Sequence, residues 1–276
     1  MSNSVNTNRT AMLALQSLNQ TNTELAGVQK RVSTGYRVSD ARDDGGAYAV
    51  AQAVRSDVAG VIAVNEQLGG VKGILQTTFA TLSQVSDTMR QARAALTRLA
   101  DGAISSDQRK QYEEQYRQLS TQITQFINDG RYNGRTLLST DTSAAVGGGD
   151  LLGIRNEDGG TFTISATNGT ALQLGTAIPA DYASAATFLT STFSSIENTI
   201  ATALNKFGAN MQYIENQMAY NSKKVDALND GLGALVDADL AKESANLQAL
   251  QTRQQLGVQT LSLANQGSQT LLSLFR

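Results

Sequence analysis

The sequence predicts a mainly α-helical protein: a long antiparallel coiled-coil bundle of helices with a small β-hairpin insert. Apolar residues recur every seven positions in two well-separated stretches. Pro179 is the single proline among 276 residues, which favours long uninterrupted helices. The two ends of the chain are helix-patterned and almost free of charge. We expect two domains, one formed by residues 1–44 and 231–276 and the other by residues 45–230.

The seven-residue repeats predict two long helical rods. Two apolar tracks at this spacing pack helices at coiled-coil angles. At about 1.5 Å per residue, each rod would be roughly 65–70 Å long. Asn221 occupies the one polar slot in the second repeat. The predicted rod-core residues are Val54, Val61, Leu68, Leu75, Leu82, Met89, Leu96, Phe193, Ile200, Phe207, Ile214 and Leu228.

A shorter helix and a β insert are predicted between the rods. Ser105 or Ser106 can cap the helix, which should end near Gly130. Glycine-rich turns then separate β-type runs at 161–166 and 171–174, which predict one or two hairpins within about 139–178. Glycine runs can also cradle phosphate, but no Lys-Ser/Thr follows this one, so a loop is the better interpretation.

The composition argues against catalytic chemistry and against nucleic-acid binding. The chain has no cysteine and no histidine, so thiolate chemistry and the commonest general base are missing. A net charge of −2 does not supply the basic stripe that nucleic acid requires. We therefore predict no enzymatic activity and no nucleic-acid partner. The first 15 residues also lack the pattern of a Sec-type signal peptide.

Two acidic clusters are the remaining candidates for a site. Asp40, Asp43 and Asp44 do not follow the EF-hand ligand spacing, which favours ion pairing and helix capping over a metal. Asp239 and Glu243 lie one helical turn apart and could act as paired carboxylates. Their place before the last helix favours capping instead. No catalytic, cofactor-binding or metal-binding residue is therefore predicted.

The composition of the two terminal stretches favours their burial against other protein. Arg9 is the only charged side chain in residues 1–23, and residues 254–275 have none. Uncharged amides and hydroxyls can pair inside a protein, where a lone charge is costly. A membrane span needs about 20 mainly apolar residues, which neither end provides. Membrane-active amphipathic helices usually carry Lys or Arg on the polar face, so that alternative is distant and no membrane partner is expected.

Several motifs in this order resemble those of bacterial flagellins. The resemblance covers residues 1–138 and about 180–276, and the short centre is similar to the compact flagellins of alphaproteobacteria. The matching motifs are VSTGYRVSDARDDGGA at 32–47, YNGRTLL at 132–138, DADLAKE at 237–243, QQLG at 254–257, ANQ at 264–266 and LLSLFR at 271–276.

The resemblance implies that the terminal helices pair as an inner coiled-coil domain of a self-polymerising filament subunit. It also implies secretion to the extracellular flagellum, with the export apparatus, an export chaperone, the filament cap and the hook-associated junction proteins as partners. A hook–filament junction protein is the alternative within the same apparatus. The residues expected to carry self-assembly are Leu15, Leu18, Leu25, Val32, Leu250, Leu261, Leu271 and Phe275.

The family's immune-receptor patch is only partly matched. Aligned to it, Arg93 and Glu114 agree, whereas Gln91 stands where an arginine is typical of stimulatory flagellins and Ala95 where a leucine is. We therefore expect weak or no recognition by the vertebrate flagellin receptor.

Overall fold

The computed structural model describes residues 8–139, 141, 147–175, 179 and 181–273, with side chains described up to residue 266. It confirms the predicted fold, long helices with one small two-stranded antiparallel sheet. The elements in chain order are α1 (Arg9–Thr34), α2 (Gly45–Leu99), α3 (Ser106–Asp129), β1 (Leu151–Ile154), β2 (Thr161–Ile164), a 3-10 turn (Gly169–Leu172), α4 (Tyr182–Phe188), a π-helical turn (Leu189–Phe193), α5 (Ser194–Val236) and α6 (Leu240–Ser273).

The chain divides into two compact units. We call residues 1–58 with 226–276 the terminal unit, and residues 59–225 the rod unit. The division falls inside α2 and α5, whereas the sequence led us to expect boundaries at 44/45 and 230/231. The reason is a small apolar cluster of Val38, Ala51 and Val236, which binds the first turns of α2 to the terminal unit.

The rod unit is an antiparallel packing of α2, α3 and α5. Lys72 pairs with Glu215 and Arg93 with Glu197, each at 2.9 Å, so residue numbers rise along α2 as they fall along α5. Ten of the repeat positions are at most 2% exposed, whereas Val54 and Leu228 are half-buried and belong to the terminal unit. The buried positions are Val61, Leu68, Leu75, Leu82, Met89, Leu96, Phe193, Ile200, Phe207 and Ile214.

The β insert is a single hairpin that packs on the rod unit. Leu151 pairs with Ile164 at one end of the ladder, and the ring of Phe162 lies 5.6 Å from that of Tyr213 on α5. The predicted strand at 171–174 is wrong. Asn168 accepts a hydrogen bond from the backbone N–H of Thr170 at 3.1 Å, which begins a 3-10 turn in its place. The strand β1 was not predicted.

Side-chain caps fix where the helices of the rod unit begin. Ser105 and Gln108 form a capping box at the start of α3, as the sequence indicated, and α3 ends at Asp129. Asp181 caps α4, and the helix then continues through the π-helical turn into α5. The second rod therefore begins with a wider turn before its regular α-helix.

Candidate self-assembly interface

The two terminal helices pair antiparallel along their lengths. The side-chain amide of Asn8 donates to the carbonyl of Ala264 at 2.9 Å, and Gln254 donates to Asn22 at 2.8 Å. Nearer the rod unit along the chain, Arg31 and Glu243 form an ion pair at 3.1 Å. Amide hydrogen bonds thus join the stretches that have few charges, and ion pairs join the helices nearer the rod unit along the chain, where Arg253 also lies 3.8 Å from Glu24.

A short apolar seam lies between α1 and α6. Leu25, Val28 and Leu250 are buried there, with Val32 and Leu247 packed at the edge. A β-carbon at Gly257 would lie 3.2 Å from Leu18, so the glycine permits close contact between the helices. The seam covers only one side of each helix.

The outer sides of both helices leave large apolar side chains in solvent. On α1, Met12, Leu13 and Leu15 are between 48% and 66% exposed, beside an open groove of about 520 Å³. On α6, Leu256 and Leu263 are 57% and 70% exposed. Consecutive exposed apolar side chains on one helix are a mark of an interaction surface.

The structure separates the residues that we expected to carry self-assembly. Leu15 is exposed, Leu25 and Leu250 are buried within the helix pair, and the remaining described side chains are half-buried. Leu271 lies in α6 with its side chain outside the described set, and Phe275 lies outside the described residues. The half-buried side chains are those of Leu18, Val32 and Leu261.

The most exposed apolar residues were missed by the sequence reasoning. On the terminal helices, apart from Leu15, they are Met12 and Leu13 on α1 and Leu240, Leu256, Val258 and Leu263 on α6. The signal was available, because α6 places apolar residues every two or three positions over 256–263. At 3.6 residues per turn, Leu256 and Leu263 fall on one face of the helix, whereas Leu250 and Leu261 fall on another. This placement indicates a second apolar face.

The first acidic cluster is neutralised by a lysine. The Nζ of Lys30 lies 2.8 Å from Asp40 and 2.9 Å from Asp43, and Ser39 donates to Asp43 through its backbone N–H and its hydroxyl. Hydrogen bonding to Lys30 holds the pKa of Asp43 well below its usual range and also lowers the pKa of Asp40. Asp44 caps α2 by accepting from the N–H of Ala47 at 3.0 Å. These carboxylates hold the connecting loop in place.

The second acidic cluster begins α6. Asp239 accepts hydrogen bonds from the backbone N–H groups of Ala241 and Lys242 at 3.0 and 3.1 Å. Glu243 faces Arg31 instead of Asp239. The two carboxylates therefore have separate structural roles, one in capping and one in joining the terminal helices. Within the described ranges, no three acidic groups are placed to share a metal ion.

These features define a class: a helical structural subunit with a packed rod and neutral terminal helices suited to self-association. Comparison with known families then identifies it. The chain belongs to the flagellin family, because residues 5–143 match the bacterial flagellin N-terminal helical region and residues 191–275 match the C-terminal helical region.

Individual relatives agree with the family models. Flagellin FljM of Caulobacter vibrioides is 34% identical over 277 residues, covering 99% of both chains. The crystal structure of Bacillus cereus flagellin, at 23% identity and a TM-score of 0.51, covers 56% of this chain and 88% of that one. A proposed flagellar hook-associated protein of Vibrio parahaemolyticus, at 12% identity and a TM-score of 0.60, covers 71% of this chain and 100% of that one. At these identities, the similarity of the chain to the two solved structures shows a common fold and nothing more.

The chain is accordingly a structural subunit that polymerises into the extracellular bacterial flagellar filament. The matched family models are those of flagellin, and none of the sequence matches favours the junction-protein alternative.

Proposed function

We propose that this subunit polymerises through the outer faces of α1 and α6, which neighbouring copies cover in the filament. The observation that carries this proposal is the row of large apolar side chains left exposed on residues 9–23 of α1 and 254–266 of α6, where Arg9 is the only charged residue. Covering such side chains is favourable by about 25 cal/mol per Å² of apolar surface. Neutral amides beside them can be buried with hydrogen-bonding partners at little cost, whereas charges cannot.

The predicted assembly residues divide into two roles under this proposal. Leu25, Val32 and Leu250 hold the two helices of one copy together. Leu18 belongs with them, because it contacts Gly257 within the pair. Leu15, Leu261, Leu271 and Phe275 contact other copies, together with the exposed residues Met12, Leu13, Leu256, Val258 and Leu263.

The same proposal accounts for export. The seam of Leu25, Val28 and Leu250 is small, and a helix pair that buries so little apolar surface is only marginally stable alone. The ends can therefore remain unfolded in transit and become ordered when copies surround them. We propose the flagellar export apparatus and an export chaperone as partners before assembly, and the filament cap and hook-associated junction proteins afterwards.

We also propose that the chain has no enzymatic activity and needs no cofactor, nucleic acid or membrane. The acidic residues that could serve as paired carboxylates cap helices or pair with Lys30 and Arg31. Helix α2 is the one helix of the described chain that is long and apolar enough to cross a membrane by length and composition, a test that core helices of soluble proteins also pass.

Weak or absent recognition by the vertebrate flagellin receptor is part of the proposal. Ala95 is 2% exposed, and Arg93 is paired with Glu197. Gln91 is exposed and lacks the charge of the arginine typical of stimulatory flagellins. A direct binding assay tests this, and nanomolar affinity would contradict it.

Seeded polymerisation of purified subunit tests the assembly proposal. Intact chain should extend filament seeds, whereas a chain lacking residues 250–276 should not, with the helical signal of the rod unit retained. Filaments grown from the truncated chain would rule out the terminal helices as the assembly elements.

A further inference from the structure

Asn221 is a polar residue in an apolar position. It lies between Ile214 and Leu228 in the seven-residue repeat of α5 and is 2% exposed. An amide buried in such a place is costly unless its donors and acceptor are all paired. The polar slot in the repeat therefore requires partners.

The partners of Asn221 come from three elements. Its amide nitrogen donates to the side-chain oxygen of Asn65 on α2 at 3.0 Å and to the carbonyl of Arg155 in the hairpin turn at 3.4 Å. Its oxygen accepts from Gln217 at 3.1 Å, and Gln217 also donates to the carbonyl of Arg155 at 3.1 Å. One buried side chain thus joins α2, α5 and the turn that connects β1 and β2.

Two further contacts hold the hairpin turn against the helices at the same level. Glu157 forms an ion pair with Lys224, one helical turn beyond Asn221. On the α2 side, a β-carbon at Gly60 would lie 2.9 Å from that of Glu157, so only glycine leaves room for the turn there. The hairpin turn therefore packs against both α2 and α5.

Apolar packing alone defines the register of two such helices poorly. A shift of α2 against α5 by seven residues, about 10 Å, would again place apolar residues opposite apolar residues. One such shift places Asn65 opposite Ile214 and removes the partner of Asn221, leaving buried amides unpaired. Because the hairpin turn contacts both helices, the shift would also break its contact either with Lys224 on α5 or with Gly60 on α2.

We propose that Asn65 and Asn221, with the hairpin turn seated on them, are positioning residues that set the register of α2 and α5. The axial length of the rod, and so the spacing at which one filament subunit meets the next, follows from that register. The register itself is a property of the single folded chain. Only its consequence for spacing rests on the filament-subunit function.

Distance measurement between two spin labels tests the register directly. The chain contains no cysteine, so Arg90→Cys with Asn216→Cys supplies exactly two labelling sites, both on exposed positions of the rod unit. From the antiparallel pairing, these positions are offset by about 18 residues, or about 27 Å along the rod. A slip by one repeat changes this distance by about 10 Å.

Two test variants are compared with a control, each in the labelled chain. The test variants are Asn221→Leu and the double variant Asn65→Leu/Asn221→Leu. The control is Asn205→Leu, which replaces an exposed asparagine of the same helix. We expect one distance for the natural chain and the control, and a second distance displaced by about 10 Å in both test variants. The melting temperature of the double variant should be unchanged or raised, because both amides are replaced by apolar side chains, whereas Asn221→Leu alone should lower it by leaving Asn65 without its partner. A purely structural role would change the melting temperature without adding a distance.

A single native distance in both variants would overturn the proposal. Since the distance is measured on the unpolymerised chain, that result is distinct from a failure of the terminal helices to assemble.

Discussion

Lys30 and Asp43 form an ion pair at 2.9 Å that fastens the connecting loop to the end of α1. The pKa of Asp43 is lowered mainly by its hydrogen bond with Lys30, and the pKa of Lys30 is raised by Asp40 and Asp43. A carboxyl group with a lowered pKa stabilises the folded chain at pH values above its unfolded pKa of about 3.9. This stability is lost as the pH falls through the pKa of the folded chain. The stability contributed by Lys30 is present at pH values below its unfolded pKa of about 10.4 and is lost as the pH rises through the raised pKa of the folded chain.

Lys30→Met should therefore return the pKa values of Asp40 and Asp43 toward their ordinary range, because the hydrogen bond with Lys30 is the largest cause of both shifts. NMR titration of the carboxyl carbons measures this. Lys223→Met, which removes an exposed lysine of the rod unit, is the matched control. An unchanged titration of Asp43 in Lys30→Met would show that the lysine is not the cause.

Tyr116→Phe should stabilise the rod unit. Tyr116 is fully buried, with its ring edge-on to Phe188 at 6.4 Å, and its hydroxyl has no hydrogen-bond partner among the described residues. A buried hydroxyl without a partner costs about 1–3 kcal/mol, so its removal should raise the free energy of unfolding by about 1 kcal/mol. Denaturant unfolding measures the change, with the exposed Tyr220→Phe as control.

Ultraviolet titration provides a second measurement on the same residue. Burial raises the pKa of Tyr116 to about 12, so one of the eight tyrosines should ionise after the others. That late ionisation should vanish in Tyr116→Phe and persist in Tyr220→Phe. A clear loss of stability in Tyr116→Phe would mean that the hydroxyl has a partner after all.

Two glycines of the rod unit should respond oppositely to alanine. Gly70 lies within α2 with open space where a β-carbon would be, so Gly70→Ala should stabilise the helix by about 1 kcal/mol. At Gly130, after α3, a β-carbon would lie 2.7 Å from the hydroxyl oxygen of Thr81 and 3.1 Å from the β-carbon of Thr81. Because threonine is stiff at χ1, Gly130→Ala should destabilise the unit. Thermal unfolding of the two variants checks the difference in sign, and equal shifts would contradict it.

The seven-residue repeat made most of this fold predictable, because a regular apolar pattern of that length has one simple packing solution. The hairpin was harder, since its strands have four residues each and Asn168 diverts the next run into a 3-10 turn. Short segments of this kind are decided by local side-chain hydrogen bonds, which a pattern does not reveal.

The interface was only partly predictable for a related reason. The lack of charge in residues 9–23 and 254–273 marked these parts of α1 and α6 as surfaces to be covered, apart from Arg9. It did not distinguish the face turned toward the other helix from the face turned outward. Leu25 and Leu15 are both leucines of the apolar pattern of α1, yet one is 8% and the other 48% exposed. That difference depends on the rotation of each helix about its axis, which the contact of Gly257 with Leu18 helps to set.

Leu263→Lys should block polymerisation while leaving the single chain folded. Leu263 is 70% exposed, so a lysine there costs the unassembled chain little. In the filament the same side chain would be covered by another copy, and an unpaired buried charge is strongly unfavourable. We expect at least a tenfold loss in the rate of seed extension.

Ser244→Lys is the control for that experiment. It adds the same charge to an exposed position of α6, but in the charged stretch beside Lys242 and Glu243. It should extend seeds at close to the natural rate, and circular dichroism should show equal helix content in both variants. Normal extension by Leu263→Lys would place the outer face of α6 in solvent within the filament, and equal inhibition by both variants would show that added charge acts without regard to position.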